Sequence, residues 1–253
     1  MDSTKIAVIA VFTALTVALN LSPIKIPAPY APFLIYQIWE IPIVAAFLLY
    51  GLKVGTAISI FNTALLLAIY PGVLPTGPLY NLAAVFSMLV GVFVTDRVSV
   101  LRSRPREFTG LIAAVVTLIT LYSALQPRFL DVTIILIFVE LVSWIIFLIA
   151  VFSLELKVVL PVVSTTVGVI FRVGAMTFVN WAFLPFPPPI GFGLPMSAVI
   201  AALPIIGVFN ATLAFYTIPL GHFLAQTVTS SLKAVGLANA GDPHAENQEA
   251  QVS

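Results

Sequence analysis

Cysteine is absent from this chain of 253 residues, and charged residues make up only 8% of it. The absence of cysteine excludes disulfides, thiolate catalysis and cysteine-ligated metals. The two histidines, His222 and His244, are too few for a histidine cluster. A net charge of +1 gives no sign of a nucleic-acid partner. The sequence therefore predicts no metal site and no cofactor.

Motifs for ATP hydrolysis and for metalloenzyme chemistry are also missing. The chain contains neither a G-x-x-x-x-G-K-[ST] phosphate loop nor an H-E-x-x-H pair. The phosphate loop supplies the backbone that binds nucleotide phosphates, so the chain is not expected to hydrolyse ATP through such a loop. The H-E-x-x-H pair supplies the zinc ligands of metalloproteases. We expect no catalytic residues and no enzymatic activity, and any energy for transport must come from a partner or from a gradient.

Apolar residues are what the chain has in excess. They make up 60% of it, whereas soluble proteins have roughly 45 to 50%. The chain also holds 19 prolines and 14 glycines, which membrane helices tolerate because neighbouring helices satisfy the freed backbone groups. This composition predicts an all-α polytopic membrane protein.

Eight apolar runs are long enough to cross a hydrocarbon core, which takes roughly 17 to 25 residues. They lie at residues 5–22, 36–52, 54–70, 79–96, 108–126, 132–154, 158–184 and 203–228. Together they predict one integral membrane domain over residues 1–237. The polar segment 238–253 is predicted to be a disordered cytoplasmic tail.

The distribution of lysine and arginine predicts the orientation in the plasma membrane, because short cytoplasmic loops carry the excess of positive charge. With a cytoplasmic N-terminus, eight alternating spans leave only Lys25 and Arg128 outside. The residues placed inside are Lys5, Lys53, Arg97, Arg102, Arg104, Arg106, Lys157 and Lys233. Both termini are therefore expected in the cytoplasm.

Much of the proline lies in three outer connections, residues 24–33, 71–78 and 185–195. One interpretation is a stiff apolar lid over the outer face. The other is that prolines end the helices and that aromatic side chains anchor them at the membrane interface. The sequence alone leaves both open.

Polar side chains from five predicted helices fall in the outer half of the membrane. At 1.5 Å per residue, Glu40 and Asn180 lie about 6 Å from their outer helix ends, Asn210 about 10 Å and Asn62 about 12 Å. Asn81 is just inside its helix, and Tyr36, Trp39, Tyr80 and Trp181 add aromatic surface at this level. An apolar pocket with a few convergent polar groups is typical of small-molecule sites. Each asparagine could instead make an interhelical hydrogen bond.

Glu140 and Arg172 are two further ionisable residues within predicted spans. Such residues mark functional sites by default because burying them is costly. Their similar predicted depths favour an internal ion pair, and the alternative is that Arg172 holds an anionic ligand.

Ala10, Ala14 and Ala18 form a stripe of small residues on the first predicted helix. Small residues four apart allow the backbone of another helix to approach closely. The stripe thus predicts a docking face for a partner helix, unless it only reflects the frequency of alanine in membrane helices.

The order of these motifs resembles the substrate-binding S components of energy-coupling factor vitamin transporters, most closely the riboflavin-type branch. The motifs are the alanine stripe, YQIWEIPIVAAFLLYGLKVGTAISIFNTALLL, GPLYNLAAVF, FVNWAFLPF and IIGVFNATLAF. The resemblance covers residues 5–96 and 160–228. It implies a six-helix core, to which residues 108–154 add an inserted helix pair.

The resemblance also implies roles for individual residues. Asn180 and Asn210 match the asparagines that hydrogen-bond the flavin ring, although Leu213 stands where the riboflavin branch has lysine. The alanine stripe would dock the integral coupling protein of the energising module. The expected substrate-binding residues are Trp39, Glu40, Asn62, Tyr80, Asn81, Arg172, Asn180 and Asn210.

The expected function is capture of a vitamin-like molecule from outside the cell, with riboflavin or a related flavin as the candidate. Delivery would follow when an ATPase module with its coupling protein makes the subunit topple in the membrane. Two other classes remain open. An ion-coupled secondary transporter would use Glu40, Glu140 and Arg172 as a relay, and a structural membrane protein would use its polar residues only for helix packing.

Overall fold

The computed structural model describes residues 3–69, 76–98, 104–125 and 156–234, and single residues between 137 and 152. Seven helices and one two-stranded sheet have described bounds, and the single residues between 137 and 152 are helical as well. The elements are α1 (Ser3–Leu21), β1 (Ile26–Ala28), β2 (Ala31–Tyr36), α2 (Glu40–Tyr50), α3 (Leu52–Ile69), α4 (Thr76–Arg97), α5 (Pro105–Ala124), α6 (Leu156–Phe183) and α7 (Met196–Ala234).

Helix length and composition agree with a multi-pass membrane protein. In the described part of the chain, α1, α3, α4, α6 and α7 are long and apolar enough to cross a membrane, and α2 is a shorter apolar helix. Of the eight predicted spans, five correspond to helices that are long and apolar enough to cross a membrane among the described residues. The predicted span 132–154 falls largely outside the described residues, as does the whole predicted tail 238–253.

An antiparallel hairpin of β1 and β2 occupies the connection after α1. Ile26 pairs with Tyr36, and Pro27 pairs with Ile35. The proline content predicts a stiff segment here but no strands, and the apolar run 36–52 predicts that the second helix starts at residue 36, whereas it starts at Glu40. The strands follow from local chemistry, because a residue that precedes proline is restricted to extended backbone. Three such residues, Ile26, Ala28 and Ala31, lie in this hairpin.

The core lies among α2, α3, α4 and α7, and α6 packs closely against α4 and α7. Completely buried side chains such as Ile43, Val85, Leu89 and Ile218 fill it. Helices α4 and α6 approach each other at two glycines. A Cβ atom built on Gly91 would lie 2.9 Å from the Cα atom of Gly168, which shows how small residues let membrane helices pack backbone against backbone.

The antiparallel path of the chain gathers several helix ends at one side of the bundle. The starts of α2, α4 and α7 and the end of α6 surround a single cavity there, together with β2. The opposite helix ends carry basic residues, among them Lys5, Lys53, Arg97 and Lys233. The bundle therefore has one end with a cavity and one end with positive charge.

Candidate ligand-binding site

A cavity of about 750 Å³ lies at the end of the bundle described above. This volume falls within the usual range for small-molecule sites. Most of the lining is apolar or aromatic, from the hairpin, the helix ends and the connection between α6 and α7. The polar lining residues are Gln37, Glu40, Asn81, Arg172, Asn180 and Asn210.

The charged part of the lining is an ion pair between Arg172 of α6 and Glu40 of α2. Nη2 of Arg172 donates to Oε1 of Glu40 at 2.9 Å, and Nη1 donates to Oε2 of the same carboxylate. Both side chains are almost completely buried. Such a two-pronged arginine–carboxylate pair is among the strongest and most directional hydrogen-bonded contacts in proteins.

Neighbouring groups hold the remaining edges of this guanidinium. Nε of Arg172 donates to Oδ1 of Asn210 at 3.0 Å, and Nη1 also lies 3.6 Å from the sulfur of Met88. Glu40 is the first residue of α2, where the positive end of the helix dipole favours a carboxylate. The contacts of Arg172 therefore tie α2, α4, α6 and α7 together at the cavity.

The predicted pairing of Arg172 with Glu140 is wrong. The arginine pairs with Glu40 instead, and Glu140 is only half-buried. The error arose because depth along the membrane was the only coordinate that sequence provided. Depth does not say which helices are neighbours, and α2 and α6 both pack beside α4 and α7.

The three asparagines that line the cavity differ in how many partners they have. Asn210 donates from Nδ2 to the carbonyl of Ile206 at 2.9 Å and accepts from Arg172. Asn180 donates to the carbonyl of Met176 at 2.6 Å, which leaves its Oδ1 without a partner among the described residues. The side chain of Asn81, within α4, makes no hydrogen bond to another described residue, so its amide group is also available.

Two of the four predicted aromatic residues line the cavity, and the other two do not. Trp39 is buried and lines the cavity, and Tyr80 lines it as well, with its hydroxyl 3.5 Å from the carbonyl of Ile190. Tyr36 instead packs against Phe209, with ring centroids 5.0 Å apart. Trp181 is 47% exposed and is not among the lining residues.

Tyrosines stabilise the hairpin internally and attach it to the helix bundle. The hydroxyls of Tyr30 and Tyr36 hydrogen-bond each other, and Tyr216 of α7 donates to the carbonyl of Gln37. Partial burial, together with the bond to Tyr36, raises the pKa of Tyr30 above its ordinary value of 10.

Asn62 lies elsewhere. It is buried on the face of α3 that also carries Ile58, Ser59 and Thr63, and it is not among the residues that line the cavity. Its Oδ1 has no hydrogen-bond partner among the described residues. This geometry places Asn62 in the packing between helices, so the structure does not bring it together with the other predicted site residues.

Several lining residues were not anticipated from the sequence. Phe33, Gln37, Phe192, Phe209 and Met176 all line the cavity. The first two come from the hairpin region and Phe192 from the proline-rich connection before α7, where no helical spacing could assign a direction to a side chain. The only signal was the concentration of proline and aromatic residues in the connections.

The alanine stripe lies on the surface of α1. Ala10, Ala14 and Ala18 are all exposed, while Ile9 and Thr16 face the bundle. The stripe is therefore not used for packing between helices of the described chain.

Comparisons with known proteins identify the fold. No protein-family model and no curated protein matches the sequence. A solved structure described as the S component of a bacterial ECF transporter matches with a TM-score of 0.56, over 92% of this chain and 99% of the other. The fold is S-component-like. At 14% identity the similarity establishes the architecture, and it does not reach the riboflavin branch that sequence analysis favoured.

Proposed function

We propose that this chain is the substrate-binding membrane subunit of an ATP-energised uptake transporter of the energy-coupling factor type. The observation that carries the proposal is the cavity of about 750 Å³ at one end of an S-component-like bundle. Its apolar walls and few polar groups are suited to hold a small molecule without transforming it. The chain acts as a binding protein and not as an enzyme.

The cavity opens toward the outside of the cell in this proposal. The helix ends opposite the cavity carry Lys5, Lys53, Arg97 and Lys233, and such an excess of positive charge belongs on the cytoplasmic side. Both termini are then cytoplasmic. The ligand enters from the side of the β1–β2 hairpin and the connection between α6 and α7.

The exposed alanines of α1 form the docking face for the coupling protein of the energising module. Their exposure supports this role, because a small-residue stripe that meets no helix of its own chain is free to meet another. Ala10, Ala14 and Ala18 lie on the opposite side of α1 from Ile9 and Thr16. Docking and ligand binding therefore use separate parts of the molecule.

Riboflavin or a related vitamin is the proposed ligand. The aromatic lining, the amide group of Asn81 and the free Oδ1 of Asn180 suit a flat ring with a polar edge. Leu213, which stands where the riboflavin branch has lysine, also lines the cavity, so recognition here must differ from that branch at this position.

Three measurements test the function. Titration of the purified protein with riboflavin, followed by quenching of flavin fluorescence, should reveal binding, and mass spectrometry of the purified protein should identify any small molecule that remains bound. Uptake in cells that carry the protein should require a coupling protein with its ATPases. Uptake driven by an ion gradient without that module would favour the secondary transporter, and no bound ligand with no uptake would favour a structural role.

A further inference from the structure

We infer that the ligand of this cavity carries no net charge. This inference rests on the proposed function, since it names the chemical class of the molecule that the same cavity binds. The ion pair of Glu40 and Arg172 is the observation that supports it.

The two charges of the cavity lining compensate each other. Glu40 and Arg172 are the charged residues among the described residues that line the cavity, and they are paired. An unpaired charge in an apolar environment is very unfavourable. A carboxylate, a phosphate or an ammonium group on the ligand would therefore enter this cavity without a counterion, or would have to break the pair.

Arg172 has little capacity left for an anion. Of its five N–H groups, four point at partners, namely two at Glu40, one at Asn210 and one at the sulfur of Met88. Asn210 is likewise occupied on both sides of its amide. These residues hold the floor of the cavity in place, and they are positioning residues in this account.

The free hydrogen-bonding capacity lies on neutral amides. Asn180 uses its Nδ2 within α6 and presents Oδ1, which needs a donor on the ligand. The side-chain amide of Asn81 has no hydrogen-bond partner among the described residues, so it can donate to a ligand and accept from it. A ring with adjacent N–H and C=O groups along one edge, and with apolar faces for Trp39 and Tyr80, matches this arrangement.

Pairs of compounds that differ mainly in charge test the inference. The purified protein is titrated with riboflavin and riboflavin 5′-phosphate, with nicotinamide and nicotinate, and with pyridoxine and pyridoxal 5′-phosphate. We expect binding of an uncharged member, at least tenfold tighter than that of its charged counterpart. Equal or tighter binding of the charged member would overturn the inference while leaving the proposed binding function intact.

If none of these six compounds binds, the protein is dialysed against a cell extract and the retained molecule is identified by mass spectrometry. A retained molecule without net charge supports the inference, and a charged one overturns it. If nothing is retained, both the inference and the proposed binding function are contradicted.

Variants of the ion pair show whether it affects ligand selectivity or only the folding of the protein. The quantity measured is the ratio of the affinities for charged and uncharged ligands. Glu40→Gln leaves the charge of Arg172 without its counterion, so the ratio of the affinities for the charged and uncharged members of the flavin pair should shift toward the phosphate by more than about tenfold. The double variant Glu40→Gln/Arg172→Gln removes both charges and should restore the preference for riboflavin. A uniform loss for both compounds in the two variants would show that the pair has no part in selectivity.

Asn180→Asp tests the same point with the ion pair intact. It adds a negative charge at the wall with almost no change in size, so riboflavin and its phosphate should both bind more weakly, the phosphate more than tenfold further. Asn20→Leu on α1, outside the cavity lining, is the control and should leave both affinities unchanged. An Asn180→Asp protein that binds both compounds like the parent would remove Asn180 from the recognition site.

Discussion

Glu40 begins α2 and Arg172 lies about three turns before the end of α6, yet the guanidinium and the carboxylate meet in a buried, two-pronged ion pair. Asn210 of α7 accepts from the third edge of the guanidinium. Helix α2 is thereby joined beside the cavity to α6 and α7, which come much later in the chain. The pair is therefore expected to affect both the stability of the protein and its selectivity for ligands.

Removal of one partner should destabilise the protein strongly. Arg172→Met leaves Glu40 as a buried, uncompensated carboxylate, and loss of one partner of a buried pair costs roughly 3 to 5 kcal/mol. The double variant Glu40→Gln/Arg172→Met should recover most of this loss because no charge stays unpaired. Thermal unfolding in detergent measures the difference. Equal destabilisation in the single and double variants would argue against the ion pair as the cause.

Asn180 and Asn210 should respond differently to the same substitution. Asn180→Leu removes a free amide oxygen from the cavity, so affinity for the ligand should fall by more than about 1 kcal/mol while thermal stability changes little. Asn210→Leu also strips a partner from Arg172, so both affinity and stability should fall. Binding and unfolding are measured on the same preparations. Unchanged affinity in both variants would remove the cavity as the binding site.

Ala14→Trp should separate docking from ligand capture. Because Ala14 is exposed on α1, a bulky residue there blocks close approach of a partner helix without disturbing the cavity. Ligand affinity of the purified variant should match the parent, whereas co-purification with the coupling protein and ATP-driven uptake should fall sharply. Intact association with the partner would refute the docking role, and joint loss of both activities would point to misfolding.

The close contact of α4 and α6 predicts a strong difference between two glycines. A Cβ atom on Gly91 would lie 2.9 Å from the Cα atom of Gly168 and 2.9 Å from the carbonyl oxygen of Val167. Gly91→Ala should therefore push the helices apart and cost about 1 to 3 kcal/mol. Gly174→Ala in α6 is the matched control, because no atom lies within 4 Å of its added Cβ.

Gly174→Ala should not destabilise the protein, in contrast to Gly91→Ala. Since alanine is the better helix former, this control should leave the unfolding temperature unchanged or raise it slightly. Equal effects of the two substitutions would show that α4 and α6 are not in close contact at Gly91.

The local chemistry of the chain was enough to predict much of the fold. Apolar runs of spanning length predict α1, α3, α4 and α6 to within three residues of their observed bounds, because the hydrocarbon core requires long, continuous apolar helices. Helix α7 (Met196–Ala234) extends beyond the predicted run 203–228 at both ends. The β1–β2 hairpin was missed. Its extended residues are apolar as well, and hydrophobicity alone does not distinguish them from the start of α2.

Polar residues in apolar runs also identified most of the candidate site in advance. Trp39, Glu40, Asn81 and Asn180 line the cavity, together with Tyr80, Arg172 and Asn210, and their role in substrate binding stays a prediction. Burial of a polar group in hydrocarbon is costly enough to make such residues conspicuous. Their depth along the membrane follows from the rise per residue, which a sequence contains.

Direction around each helix and the choice of neighbours were decided only by the tertiary structure. The sequence could not show that Arg172 meets Glu40 and not Glu140, or that Asn62 turns into the packing of α3. A one-dimensional pattern specifies how deep a side chain lies and how apolar its surroundings must be. Which partner it meets depends on which helices pack together, and here close contacts such as that between Gly91 and Gly168 set this arrangement.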